Sequence, residues 1–137
     1  MSGYGEGLEE CASDRRQGAY LGRYKRNVKE RLTLYMRPQE CGSRTAVRWA
    51  KLTDERGEGI EVLAPGTMEF SALPYSPFEI ENATHTDEFP PSHRVWLCPA
   101  LMRRGVGGDN SWGARTHPEY TLHQVPLKFA VALRPIR

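Results

Sequence analysis

Glycine and proline recur along the chain and divide it into segments too short for long helices. The 137 residues include 13 glycines and 10 prolines, and no segment keeps an apolar period of 3.6 residues over several turns. Several segments instead alternate apolar and polar residues, which is typical of strands. The clearest alternation is in 127–133, where Leu127, Phe129, Val131 and Leu133 are apolar. Strands and turns at this spacing predict an all-β fold, namely an antiparallel β-sandwich or barrel.

The remaining predicted elements follow from the same patterns. The further strands are expected at 28–35, 45–52, 60–64, 94–98 and 120–125. Turn residues fall at 40–43, 54–57, 64–66 and 90–92. One short helix is predicted from Pro77 to Ala83, because Ser76 and Glu79 have the spacing of a capping box. Since no internal repeat or low-complexity linker interrupts the pattern, residues 1–137 are expected to form a single domain.

Composition and charge exclude several classes of protein. Hydrophobic residues make up 39%, charged residues 26%, and the mean hydropathy is −0.62, which is typical of a globular protein. The net charge of +2 is spread along the chain, whereas nucleic-acid-binding domains usually concentrate basic charge on one face. No apolar run approaches the ~20 residues of a membrane helix. The first residues have neither the basic nor the apolar region of a secretory signal, so we expect a cytoplasmic protein.

The sequence contains no recognisable metal or catalytic motif. Three cysteines lie far apart, without zinc-site spacing: Cys11, Cys41 and Cys98. We expect them to be reduced and mostly buried. Four histidines fall in loop-like segments or at strand edges and are expected at the surface: His85, His93, His117 and His123. Nucleophile-elbow, phosphate-loop and zinc-protease motifs are absent, and the spacing of the carboxylates selects no catalytic pair.

The segment 105–118 is the longest predicted loop, and it carries the strongest candidate for a binding site. Four residues are expected to shape it through backbone freedom or local hydrogen bonds: Gly107, Gly108, Asp109 and Ser111. Trp112 would then present a flat apolar face, to which the C–H face of a sugar can dock. The alternative is that Trp112 folds back into the core, as we expect for Trp49 and Trp96 within predicted strands.

Seven segments occur in an order that resembles one enzyme family. They are 5–15, 35–42, 44–49, 70–73, 83–85, 105–113 and 117–120. The most specific are Pro38-Gln39-Glu40-Cys41-Gly42 and Gly107-Gly108-Asp109-Asn110-Ser111-Trp112. Together they resemble the C-terminal small-chain domain of the glycoside hydrolase family 2 β-galactosidases. In the first segment Glu10, Asp14 and Arg15 match the family pattern, while Leu8 replaces a proline and Ala12 a tyrosine.

The resemblance implies a fold and a role. The fold would be the galactose-mutarotase-like supersandwich, or about half of one. Such enzymes hydrolyse terminal β-D-galactose residues, as in lactose, with catalytic glutamates in a barrel domain that has no counterpart here. Trp112 would stack on the bound sugar. This chain would hold no cofactor, since Mg and Na are used through other domains.

The resemblance also implies partners, and two other roles stay open. The expected partners are a galactoside and either the remaining β-galactosidase domains or a second copy of the chain. We expect no nucleic-acid or membrane partner. The isolated chain is predicted to be inactive. The alternatives are a non-catalytic carbohydrate-binding module and a structural or oligomerisation module.

Overall fold

A computed structural model describes residues 1–7 and 9–137, and its main feature is one antiparallel sheet. The strands are β1 (Ser2–Glu6), β2 (Leu21–Lys25), β3 (Arg44–Thr53), β4 (Gly59–Leu73), β5 (Trp96–Ala100) and β6 (Ala132–Ile136). In the described part of the chain they form a 6-stranded sheet in the order β2-β1-β3-β4-β5, with β6 also paired to β4. The predicted all-β class is therefore confirmed, and the single layer corresponds to about half of a sandwich.

Strand β4 is the longest strand of the described sheet, and both of its edges are paired. One edge pairs with β3, while β6 pairs with 59–63 and β5 with 69–73 on the other. Its register with β3 shifts between the pairs Trp49–Leu63 and Val47–Met68. The turn predicted at 64–66 is therefore wrong: the chain bulges outward at this point without reversing its direction. A bulge tolerates proline, which cannot donate to the ladder.

The core lies along the centre of the sheet. Its main cluster consists of Val47, Ala50, Val62, Met68, Phe70 and Ala72. A second cluster lies at the end of β4, where Cys41, Leu73 and Ile80 are buried. The helix α1 (Pro77–Asn82) supplies Ile80 to this cluster. The helix and its capping box, formed by Ser76 and Glu79, are confirmed.

Three strand predictions are wrong because alternation alone does not provide a neighbouring strand. Residues 127–131 are irregular, and β6 begins at Ala132. The segment 28–35 contains only the short 3-10 helix Lys29–Arg31, and 120–125 follows another at Pro118–Tyr120. The strand predicted at 94–98 lies two residues further along, as β5.

Strand β1 was missed because its glycines give no strand signal. A side chain at Gly5 would place its Cβ only 2.8 Å from Val47 Cγ2 on β3. Glycine here allows the two backbones to approach closely, which is a packing requirement rather than an alternation pattern.

The predictions for tryptophan, cysteine and histidine had mixed outcomes. The expectation of core positions for Trp96 and Trp49 is wrong, since Trp96 is 41% exposed and Trp49 is half-buried. The cysteines are free, with Cys11 and Cys41 buried and Cys98 half-buried. All four histidines are exposed, as expected. Among the described residues, no helix has the length and apolar character needed to cross a membrane.

Candidate functional site

The loop that carries Trp112 is closed at its base by hydrogen bonds. The Gly105 amide donates to the Tyr120 carbonyl oxygen at 2.8 Å. The Thr116 hydroxyl, which is buried, donates to the Gly105 carbonyl oxygen at 3.2 Å. Arg104 Nη2 in turn donates to Thr116 Oγ1 at 3.2 Å. The segment therefore has its two ends together, as in a compact surface loop.

Within the loop, local contacts determine the path of the backbone. Gly113 has φ +95°, a conformation that favours glycine. A Cβ at Gly108 would collide with the carbonyl oxygen of Ala114, so the two backbone segments approach closely there. Asp109 Oδ1 lies 2.7 Å from His117 Nε2, which links the two sides of the loop.

Trp112 projects from this loop into solvent. Its amide donates to Asn110 Oδ1 at 2.9 Å, which fixes the turn just before the indole. The residue is 91% exposed, so the interpretation of Trp112 as a core residue is wrong. Of the four predicted loop-shaping residues, Gly108 and Asp109 make the contacts described above, and Gly107 bonds to the opening segment of the chain. Ser111 is exposed, and its hydroxyl bonds to none of the described residues.

The opening segment of the chain packs against the base of the loop. Asp14 lies in the 3-10 helix Ser13–Gly18, and its Oδ2 accepts a hydrogen bond from the Gly107 amide at 2.6 Å. This contact joins residues 93 positions apart in sequence. The sequence offered one signal for Asp14, its match to the family pattern, but no indication of its contact with the loop.

Glu10 connects the opening segment to the segment 35–42. Its carboxylate accepts hydrogen bonds from the Thr33 hydroxyl at 2.6 Å, the Tyr35 hydroxyl at 3.2 Å and the Gly42 amide at 3.0 Å. Burial, with the adjacent Glu10 carboxylate, raises the pKa of the Tyr35 phenol. Three of the segments that resemble the family thus meet: 5–15 contacts 35–42 through Glu10 and 105–113 through Asp14.

A polar cavity of about 550 Å³ lies beside this junction. Its polar lining includes Glu10, Glu40, Ser43, Glu69, Arg103 and Arg104. Glu69 is the most unusual of these, since it is 8% exposed and burial raises its pKa to about 7. The Ser43 hydroxyl donates to Glu69 Oε2 at 3.2 Å, and Arg103 forms an ion pair with Glu40. In the described residues, no group of three or more His, Cys, Asp or Glu side chains could hold a metal ion.

Comparison with known proteins identifies the family. The family described as the beta galactosidase small chain matches residues 1–133. The chain belongs to the β-galactosidase small-chain family. A β-galactosidase of Priestia megaterium is 47% identical over 123 residues, covering 90% of this chain and 12% of that protein. A β-galactosidase of Lactobacillus delbrueckii subsp. bulgaricus is 46% identical, covering 97% of this chain and 13% of that protein.

One small-chain relative is itself a separate subunit. A protein of Latilactobacillus sakei named β-galactosidase small subunit is 35% identical, covering 82% of this chain and 39% of that protein. The chain therefore spans only a small part of the β-galactosidases it matches.

Proposed function

We propose that this small-chain domain, formed by residues 1–137 in the cytoplasm, supplies a sugar-stacking loop to the active site of a family 2 β-galactosidase. The substrate would be a terminal β-D-galactoside such as lactose. The catalytic carboxylates, and any Mg or Na site, would belong to other domains of the assembled enzyme. Trp112 is the one residue of this chain that we place against the sugar.

The observation that carries the proposal is the exposed indole on a braced loop. An indole that is 91% exposed keeps a large apolar surface in water, although tryptophan is usually well buried. The bonds from Asn110, His117 and Asp14 hold the backbone around it. A flat apolar face presented in this way suits the C–H face of a sugar. Gly107, Gly108, Asp109 and Ser111 would shape the loop, the first three through the contacts above.

The experiment is the substitution Trp112→Ala, with Trp112→Tyr as a matched control that keeps an aromatic face. Both are made in an enzyme assembled from this chain and the large portion of a β-galactosidase. We expect Trp112→Ala to raise KM about tenfold, or roughly 1.4 kcal/mol of binding. Trp112→Tyr should raise KM less than Trp112→Ala does. Neither variant should lower the melting temperature by more than ~2 °C. A lower melting temperature with unchanged KM would contradict the proposal.

A second experiment separates this function from that of an independent sugar-binding module. A single stacking surface has few polar groups to orient a ligand. We therefore expect the isolated chain to bind galactose with a Kd of about 1 mM or weaker. We also expect it to leave a chromogenic β-galactoside uncleaved, because two positioned carboxylates are needed for hydrolysis. Micromolar galactose binding by the isolated chain would favour the independent module.

A further inference from the structure

We propose that Asp14 is a positioning residue that holds the Trp112 loop in the conformation in which the indole faces the sugar. The structural part of this inference concerns only the loop, whereas its consequence for the enzyme rests on the proposed function. Asp14 makes no hydrogen bond to Trp112. It would act through the backbone of Gly107, at the start of the loop.

The contact between Asp14 and Gly107 is a single short hydrogen bond. Asp14 Oδ2 accepts the Gly107 N–H at 2.6 Å. Hydrogen bonds to ionised acceptors are shorter and stronger than those between neutral groups. Asp14 is itself held in place, because the next amide, of Arg15, donates to the Ala12 carbonyl oxygen at 2.9 Å. The 3-10 helix Ser13–Gly18 thus presents the carboxylate to the loop from a fixed turn.

The shape of the loop base fits the Asp14 side chain closely. A Cβ on Gly105 would lie 2.8 Å from Asp14 Cγ and 2.8 Å from Tyr120 Cβ, so the absence of a side chain there makes room for the carboxylate. A Cβ on Gly107 would lie 3.2 Å from Asp14 Oδ2. Both glycines therefore pack directly around this carboxyl group. The carboxylate fills the space between the opening segment and both ends of the loop.

The second oxygen of the same carboxyl group distinguishes Asp14 from a residue that only stabilises the fold. Asp14 Oδ1 is buried and has no hydrogen-bond partner among residues 1–7 and 9–137. A buried polar atom without a partner costs free energy comparable to what a hydrogen bond contributes. Much of the gain from the bond to Gly107 is offset by this cost. The arrangement adds little net stability to the fold, yet it fixes one particular amide of the loop.

From Gly107 the effect reaches Trp112 through contacts of the loop itself. Gly108 packs against the Ala114 backbone, and Asp109 pairs with His117. Asn110 then fixes the amide of Trp112. Each of these contacts depends on the position of the backbone at Gly107, from which the rest of the loop continues. Removing the Asp14 carboxylate leaves the Gly107 amide without its hydrogen-bond acceptor, while the bonds at Gly105 still close the base of the loop.

The test measures loop mobility in the full chain without any sugar. In a background with Trp49→Phe and Trp96→Phe, Trp112 is the only tryptophan, so its fluorescence can be observed alone. Asp14→Ala should lower the fluorescence anisotropy of Trp112 and speed hydrogen exchange at the Gly107 amide by roughly 10- to 100-fold, the loss expected for one charged hydrogen bond. Asp14→Asn keeps a neutral acceptor and should restore most of the protection. Because it is nearly isosteric, it also keeps the test valid if Asp14→Ala fails to fold.

Asp54 provides a matched control in another turn. Its Oδ1 accepts the amides of Arg56 at 2.9 Å and Glu58 at 3.0 Å, so it also braces backbone with a carboxylate. Asp54→Ala should leave Trp112 anisotropy and Gly107 exchange unchanged. The inference would be overturned if Asp14→Ala left the anisotropy of Trp112 and the exchange of the Gly107 amide unchanged. It would also be overturned if Asp54→Ala lowered the anisotropy and sped the exchange as much as Asp14→Ala does.

The kinetic arm separates this inference from the proposed function. In the assembled enzyme, Asp14→Ala should raise KM about as much as Trp112→Ala does and change kcat less. A mobile loop with KM raised by Trp112→Ala but not by Asp14→Ala would overturn the functional consequence of Asp14. A mobile loop with KM unchanged by both variants would overturn the proposed function instead, while Asp14 would still position the loop.

Discussion

Asp109 and His117 face each other across the Trp112 loop, with Oδ1 and Nε2 2.7 Å apart. The bond to Asp109, together with the charges of Asp109 and Glu119, raises the pKa of His117 above its ordinary value of 6.5. Because the folded-state pKa is the higher one, the contribution to loop stability is complete below pH 6.5 and is lost as pH rises through the folded-state pKa. We expect the anisotropy of Trp112 to fall as pH rises above 6.5 and passes through the folded-state pKa of His117.

Two variants identify the pair as the cause of this pH dependence. Asp109→Asn removes the charge that favours the protonated imidazole, so it should flatten the pH profile of Trp112 anisotropy. His123→Gln removes an exposed histidine outside the pair and should leave the profile as it is. A pH profile that persists in Asp109→Asn would show that another group is responsible.

Glu69 predicts a second pH dependence, of global stability. Burial raises the pKa of its carboxyl to about 7 from 4.5, although Ser43, Arg103 and Arg16 oppose the shift. The folded state therefore binds the proton more tightly than the unfolded state does. The stabilisation is present below pH 4.5 and is lost as pH rises through about 7. A shift of this size is worth about 3 kcal/mol at most, and solvent in the adjoining cavity reduces it to roughly 1–2 kcal/mol.

Chemical denaturation checks this prediction. The free energy of unfolding of the unaltered chain should be lower at about pH 8 than at about pH 5. Glu69→Gln mimics the protonated carboxyl group and should remove most of the difference. Glu58→Gln changes an exposed glutamate of the β3–β4 turn and serves as the control. An unchanged difference in Glu69→Gln would contradict the assignment.

The capping box of α1 predicts a local effect on stability. The Glu79 amide donates to Ser76 Oγ at 3.1 Å, and the Ser76 amide donates to Glu79 Oε2 at 2.6 Å. Ser76→Ala should lower the free energy of unfolding by about 1 kcal/mol, with faster amide exchange in the first turn of α1. Ser76→Asp keeps a capping oxygen and should lower the free energy of unfolding less than Ser76→Ala does. Equal losses in the two variants would show that packing around the buried Ser76, not capping, decides the outcome.

The success of the sequence predictions depended on whether the pattern was local. The capping box of α1 involves residues three positions apart, and the hairpin β3–β4 is closed by an adjacent turn; both were predicted correctly. The segment 127–133 alternates equally well, but most of it has no neighbouring strand. Strand β1 has little alternation and is placed by the space that Gly5 leaves for Val47. Those two outcomes depend on residues distant in sequence.

The same distinction applies to the candidate site. The glycines and hydrogen-bonding side chains next to Trp112 left both an exposed and a core position open, and the resemblance to a family favoured the exposed one. The roles of Asp14 and Glu10 could not, because each contacts a segment well beyond its own turn. The resemblance to a family pointed to both residues, and the structure shows which hydrogen bonds each one accepts. The pairing of Asp109 with His117 was also missed, since sequence alone placed His117 only at the surface.

Several exposed apolar residues lie in the last part of the chain, and they predict its association with another chain. Leu122, Val125, Leu127, Phe129 and Leu133 are between 40% and 62% exposed. In the described sheet, β6 pairs with β4 on one edge only. Apolar surface and an open strand edge together favour association with another chain.

The isolated chain should therefore self-associate, and the paired substitution Leu127→Lys and Leu133→Lys should weaken its association by about tenfold or more. Met36→Lys changes a residue that is 96% exposed in a different segment, so it should leave association unaffected. Light scattering over a range of concentrations measures the effect, and a monomer at every concentration would contradict the prediction.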